Sequence, residues 1–253
     1  MNRIYISLLA VFLATASLFE HALSQDSMTL ANAVVTATDR SPEDRALDAG
    51  RKPAELLAFL GIQPGWRIAD LGAGGGYTTE LLQRAVGSEG AVYGQNSKKL
   101  LEMFLEKPWS ARLAKPVMKG VVRMDRDFDD PFPDGLRPLD AVTMVLFYHD
   151  TVWLGVNREA MNKAVFAALK PGGVFVIVDH SARPGDGVTV TNTYHRIEED
   201  VVKSEVLDAG FVLDGQADFL RNKDDTRLWN DSPRAAGERR GTSDRFVLRF
   251  RKP

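Results

Sequence analysis

Apolar residues along this chain come in short unbroken runs separated by polar, glycine-bearing breaks. The runs 66–71, 91–94, 121–124, 140–147 and 174–178 are of strand length. Their most apolar members, 140–147 and 174–179, show no alternation, as strands buried on both faces of a parallel sheet do. Between the first two runs, Tyr77–Val86 places Leu81, Leu82 and Val86 on one side of a helix facing the sheet. A second helix follows Glu198-Glu199-Asp200, reaches Ala209 and is stopped by Gly210. Phe211–Phe219 and Arg245–Phe250 read as a terminal antiparallel pair, joined by a long polar loop, 221–244, that carries Trp229. Connections of that length are usually functional or disordered. The pattern predicts an α/β fold: a doubly wound, mostly parallel sheet closed by an antiparallel strand.

A helical preface, 25–65, precedes the first strand. Ser41-Pro42-Glu43-Asp44 offers a cap, a proline at the first helical position and acids in the first turn. Lys52-Pro53 starts a second helix that runs to Leu60 and ends at Gly61. Arg45, Asp48 and Arg51 share a helical side, read as a solvated face, with a lid over a ligand loop as the alternative.

The first strand feeds Asp70-Leu71-Gly72-Ala73-Gly74-Gly75-Gly76 and then the helix at Tyr77. Glycines there let backbone approach a ligand, and the helix start offers unpaired N–H groups. The spacing is D-x-G-x-G-x-G. The dinucleotide fingerprint would require glycine at position 77, where Tyr77 stands, which argues against a NAD-dependent dehydrogenase. A sharp turn without a ligand is the bland alternative.

This spacing resembles the first motif of class I S-adenosylmethionine (SAM) methyltransferases. The likeness continues through Val121–Asp125, a strand ending in an acid, the loop Asp130-Pro131-Phe132-Pro133-Asp134-Gly135, and Leu169-Lys170-Pro171-Gly172-Gly173 ahead of the apolar run to Asp179. Asp179-His180-Ser181-Ala182, Tyr194-His195-Arg196-Ile197 and Asp244–Phe250 look like a group of exported bacterial methyltransferases of unknown substrate. The resemblance implies the class I methyltransferase fold over 66–253, SAM as cofactor, and Asp70, Gly72, Gly74 and Gly76 around its methionine end. It implies Asp125 near the adenine amino group. At the end of the second strand the family carries an acid that binds the ribose hydroxyls. Gln95 and Asn96 stand there instead, and an amide lacks the strength of a charge-assisted bond.

Of four histidines, His21 lies in the N-terminal leader. His149 follows the fourth strand, His180 the fifth, and His195 the loop after it. Strand carboxyl ends are where ligands bind in such sheets. Asp150 and Asp179 accompany them. Three readings stay open: a general base oriented by an acid, a metal site, or loop hydrogen bonding alone. Tyr148 and Trp229 are candidates for lining a substrate pocket, with core packing as the alternative.

The rest bounds the picture. With 253 residues and 44% hydrophobic content, the chain suits one α/β domain and a leader. A net charge of −2 without a basic stripe argues against a nucleic-acid partner. The absence of cysteine excludes disulfides, thiolate nucleophiles and lipid attachment at cysteine. Arg3, the apolar run Ile4–Phe19 and Ala22-Leu23-Ser24 have the layout of a signal peptide, 1–24, cut before Gln25. The expectation is an exported protein, in a bacterial periplasm, with no stable membrane anchor once the leader is removed. The activity expected is methyl transfer to a small molecule, with His149, His180, His195 and Asp150 at the acceptor. The alternative is an exported, non-catalytic binder of a metal or small ligand. Oligomeric state is not legible.

Overall fold

The computed structural model describes residues 25–253. The leader expected at 1–24 lies outside them. No helix among the described residues is long and apolar enough to cross a membrane.

Three helices open the described chain: α1 (25–35), α2 (Pro42–Arg51) and α3 (Pro53–Leu60). Ser41 caps α2 by accepting the N–H of Asp44, and Gly61 ends α3 in a left-handed conformation. Then come β1 (Arg67–Leu71), α4 (Tyr77–Val86) and β2 (Ala91–Asn96). A short α5 (Lys98–Leu100) passes through a π-helical turn, Leu101–Leu105, into α6 (Glu106–Leu113). β3 (Val121–Asp125) and β4 (Leu139–Val145) are followed by α7 (Tyr148–Trp153) and α8 (Arg158–Ala168). β5 (Leu169–His180), α9 (Thr191–Tyr194), α10 (Glu199–Asp208), β6 (Val212–Ala217) and β7 (Arg245–Arg251) complete the order.

The seven strands line up as β3-β2-β1-β4-β5-β7-β6. The first five pair in parallel, and β7 runs antiparallel to both β5 and β6. Strand order reverses between β1 and β4, so a crevice forms beyond their carboxyl ends. Each face of the sheet carries a core. On one, Ala31, Val34, Leu56, Leu57 and Leu60 of the preface join Leu81, Leu82 and Val86 of α4 against Ile68, Val92 and Val176. On the other, Met161 and Val165 of α8 and Val202 and Val206 of α10 pack on Leu71, Met144, Phe175 and Ile177. The preface therefore shares the core of the sheet.

Two boundaries and one helix face differ from the pattern. β4 stops at Val145 rather than 147, because Leu146 turns into the left-handed region (φ 58°) while its N–H donates to the Val178 carbonyl at 2.7 Å. The chain then winds into α7, which no apolar period announces. The Leu169–Gly173 stretch, which precedes the apolar run to Asp179, is taken into β5. Leu139 pairs with Leu169, the register then jumps to Ala141 and Val174, and Lys252 bonds Gly172 and Gly173 from the chain end. Finally, the Arg45/Asp48/Arg51 side of α2 is not simply solvated. Asp48 takes Arg40 through both oxygens at 2.7 Å and the Tyr77 hydroxyl at 2.6 Å, and Arg51 lies over the Tyr77 ring at 4.5 Å. A second tie runs from Asp44 through Arg112 to Glu80, joining α2, α6 and α4. Both ties converge on the first turn of α4.

Candidate functional site at the carboxyl ends of β1, β4 and β5

The glycine loop leaves β1 through three left-handed residues, Gly72 (φ 67°), Gly74 (φ 57°) and Gly76 (φ 81°). A side chain is strained at each, but the space around them differs. A Cβ at Gly72 would come within 2.6 Å of the Phe147 ring, and one at Gly76 within 2.6 Å of Trp109. At Gly74 nothing stands nearer than the Gly72 carbonyl, 3.9 Å away. Gly72 and Gly76 thus make room for the protein's own rings, whereas the space beside the Gly74 Cα is open.

Asp70 lies beneath this loop, 2% exposed. It accepts the hydroxyls of Thr79 at 2.7 Å and Thr143 at 2.8 Å, tying β1 to α4 and β4. Burial outweighs these bonds and raises its pKa to about 6.

Gln95 and Asn96 are fully buried and turn toward the loop. The Gln95 side chain accepts the Gly72 N–H at 3.0 Å and donates to the Arg126 carbonyl at 2.5 Å. Asn96 accepts the Gly74 N–H at 2.9 Å and donates to its carbonyl at 3.1 Å. The resemblance places these amides at a ribose; in the structure their polar atoms are engaged by the glycine loop and by the Arg126 carbonyl after β3. Asp125, expected near an adenine, accepts Arg123 Nε at 2.8 Å on a partly exposed edge.

The three histidines come together. His149 sits in the first turn of α7, where Asp179 at the end of β5 holds it twice. One carboxylate oxygen accepts its backbone N–H at 2.7 Å, and the other lies 2.7 Å from Nδ1. His149 Nε2 is then 3.1 Å from Asp150 Oδ1 and 3.3 Å from His195 Nδ1. His195 Nδ1 is in turn 3.3 Å from Asp150 Oδ1. His195 reaches this position by ending α9 in a left-handed conformation (φ 52°). The Trp153 indole N–H donates to Asp150 Oδ1 at 2.7 Å. The His180 ring centroid is 5.6 Å from that of His149, but its Nδ1 contacts the Ser243 hydroxyl at 2.9 Å and the Asp231 carboxylate. The His149 side chain is 3% exposed, whereas those of His195 and Asp150 are 22% and 17% exposed, so the cluster opens on their side.

The electrostatics separate His149 from His180. Burial disfavours charge on His149, yet Asp179 and Asp150 override it and raise its pKa to about 10. Burial disfavours charge on Asp150 as well, but His149 beside it holds the carboxyl well below its usual range. Burial pushes His180 below the ordinary imidazole value despite Asp231. A His149 that keeps its proton at neutral pH cannot serve as the general base there, which leaves His195 and Asp150 as the groups facing outward.

Several contributors escape the sequence pattern. Asp231 holds His180 from inside the long polar loop, and nothing local marks it. Trp153 stands three residues after Asp150 on α7, a spacing that does put the two side by side. Phe147 stacks on Phe128 with centroids 4.9 Å apart and covers Gly72. Tyr148 is core, bonded to Glu205 and Asn162, and Trp229 packs under Arg196 and donates to Asp225. Loop 221–244 is laced in place by the buried Arg196–Asp225 pair at 2.8 Å and by Asp244.

Comparison with known proteins agrees with this architecture. The sequence profile of the protein-L-isoaspartate (D-aspartate) O-methyltransferase family matches residues 42–107, the stretch from α2 through the glycine loop into α6. No curated protein matches the chain. A SAM-dependent methyltransferase from Aquifex aeolicus superimposes with a TM-score of 0.57 at 18% identity, over 85% of this chain and 95% of that one. Aeropyrum pernix fibrillarin, solved with natively bound SAM, gives 0.52 at 14% identity over 81% and 76%. The glycopeptide N-methyltransferase MtfA, solved with sinefungin, gives 0.53 at 16% identity over 82% and 86%. The strand order β3-β2-β1-β4-β5-β7-β6, the glycine loop at the tip of β1 and these superpositions establish the fold as the one shared by class I SAM-dependent methyltransferases.

Proposed function

We propose that this protein is an exported SAM-dependent methyltransferase acting on a small-molecule acceptor. The observation that carries the reading is the loop at the tip of β1, where Gly74 offers left-handed backbone to open space beside the strand-order reversal. That is the place where this fold receives a ligand.

The residues present suit the cofactor at one end. Gly74 would lie against it, with Asp70 and the first turn of α4 holding the loop's shape from below. At the other end the chain departs from the usual acid, so ribose recognition falls to groups other than the buried Gln95 and Asn96. SAM, when bound, supplies a methyl group on a sulfonium that is already a good leaving group. The protein's remaining task is alignment of the acceptor. His195 and Asp150, on the open side of the imidazole cluster, are the groups in position to touch it, while His149 and Asp179 set their geometry. His180 acts behind His149 rather than on the acceptor. The absence of a basic stripe in a chain of net charge −2 favours a small acceptor over nucleic acid.

Calorimetric titration of the purified protein with SAM, and with its demethylated product S-adenosylhomocysteine, tests the reading. Saturable binding of either at one site per chain supports it. A folded protein that binds neither overturns it.

A further inference from the structure

We propose that His149 Nε2, His195 Nδ1 and Asp150 Oδ1 form a binding site for one first-row divalent cation. The three atoms are 3.1, 3.3 and 3.3 Å apart, an almost equilateral arrangement contributed by α7 and the end of α9. Donors bound at about 2.0–2.1 Å to a shared ion are themselves about 3.3–3.4 Å apart in a tetrahedral arrangement and about 2.8–3.0 Å apart in an octahedral one. The observed spacing lies between those values, close to the tetrahedral one, and an ion entering there would displace the proton that His149 otherwise holds on Nε2.

The surroundings have the organisation of a metal centre. Asp179 lies 2.7 Å from Nδ1 of His149, which aims Nε2 at the common point. A carboxylate behind a ligating imidazole is the usual outer partner of a metal-bound histidine. The Trp153 indole N–H fixes the orientation of the Asp150 carboxylate. His149 is sealed from solvent, while His195 and Asp150 are partly open, so an ion has an entry path and coordination positions left over. Two imidazoles and one carboxylate, in a chain without cysteine, suit zinc, iron(II) or manganese(II) better than magnesium or calcium, which take mostly oxygen. His180 stays outside the set: the donor atoms that lie within 4.8 Å of one another are those of His149, Asp150 and His195. The site does not depend on methyl transfer and stands or falls by binding.

Chelator-stripped protein titrated with zinc by calorimetry should take up one ion per chain. His195→Ala and Asp150→Asn should each weaken zinc binding at least tenfold, and Asp179→Asn, which removes the carboxylate behind His149, by about 10- to 100-fold. Cobalt(II) added to the stripped protein should give visible d–d absorption that both ligand variants lose. Asp150→Asn, equal in size to the native residue, serves if His195→Ala does not fold. Zinc binding by the native protein no tighter than by Asp150→Asn, or no cobalt absorption, would reduce the cluster to hydrogen bonding alone and overturn the proposal.

Discussion

Asn96 brackets Gly74 through both backbone groups, taking its N–H at 2.9 Å and giving its own amide N–H to the carbonyl at 3.1 Å. The pair of bonds imitates one rung of a sheet ladder and pins the glycine loop to the tip of β2. An amide suits this position where a carboxylate would not: a carboxylate could accept the N–H but could not donate to the carbonyl.

Asn96→Ala should therefore lower stability by about 2 kcal/mol, the sum of two buried bonds at roughly 1 kcal/mol each. Asn96→Asp should be no better, because its second oxygen would face the Gly74 carbonyl. Urea denaturation of both variants measures this. An Asn96→Asp protein as stable as the native one would show that the bracket is not what holds the loop.

The two glycines of the loop that look alike in the sequence should respond differently. Gly74→Val puts a β-branched side chain into open space at φ 57°, so it should fold with a loss of about 1–2 kcal/mol yet lose SAM binding. Gly72→Ala drives a Cβ into the Phe147 ring, 2.6 Å away, and should destabilise by about 1–3 kcal/mol through overpacking. Thermal melts with and without SAM separate the effects. Unchanged SAM affinity in a folded Gly74→Val would argue against the loop as the cofactor site.

The strands were legible because parallel strands buried on both faces leave unbroken apolar runs, and α4 because Leu81, Leu82 and Val86 repeat at helical spacing. The convergence of His149, His180 and His195 was legible for a topological reason: each follows a strand whose carboxyl end faces the same crevice. What those residues bond to was not. Asp231 meets His180, and Asp48 meets Tyr77, only once distant segments have closed on each other. Gln95 and Asn96 show the same limit, since their position at a strand end was readable but the direction of their side chains depends on where the loop folds back. The left-handed turn at Leu146 had no marker either, because glycine, the residue that would have announced it, is absent there.

Export is tested at the chain's start. Ala22 and Ser24 are the small residues a signal peptidase needs, so protein recovered from the periplasm should begin at Gln25. N-terminal sequencing decides, and intact Met1 in soluble cytoplasm would remove export from the proposal.

Asp70 should leave a pH signature of its own. Its native pKa of about 6 lies above the unfolded value of 3.8, so between the two the folded chain holds the extra proton. Stability then falls with rising pH across that window: the contribution is most favourable below about pH 4, declines to about pH 6 and is level beyond. Ionising the carboxyl in its buried site rather than in the unfolded chain costs roughly 3 kcal/mol. Asp70→Asn removes the titration and keeps one acceptor for the Thr79 or Thr143 hydroxyl. The variant should therefore be weaker than the native protein in acid and gain on it as the pH rises, since the native carboxylate must ionise in a buried site. The difference between their urea midpoints, followed from about pH 4 to pH 8, isolates this group from the other carboxylates and histidines that titrate alongside. A flat difference curve would mean that Asp70 ionises as readily under the glycine loop as in the unfolded chain, and that solvent reaches it in spite of its burial.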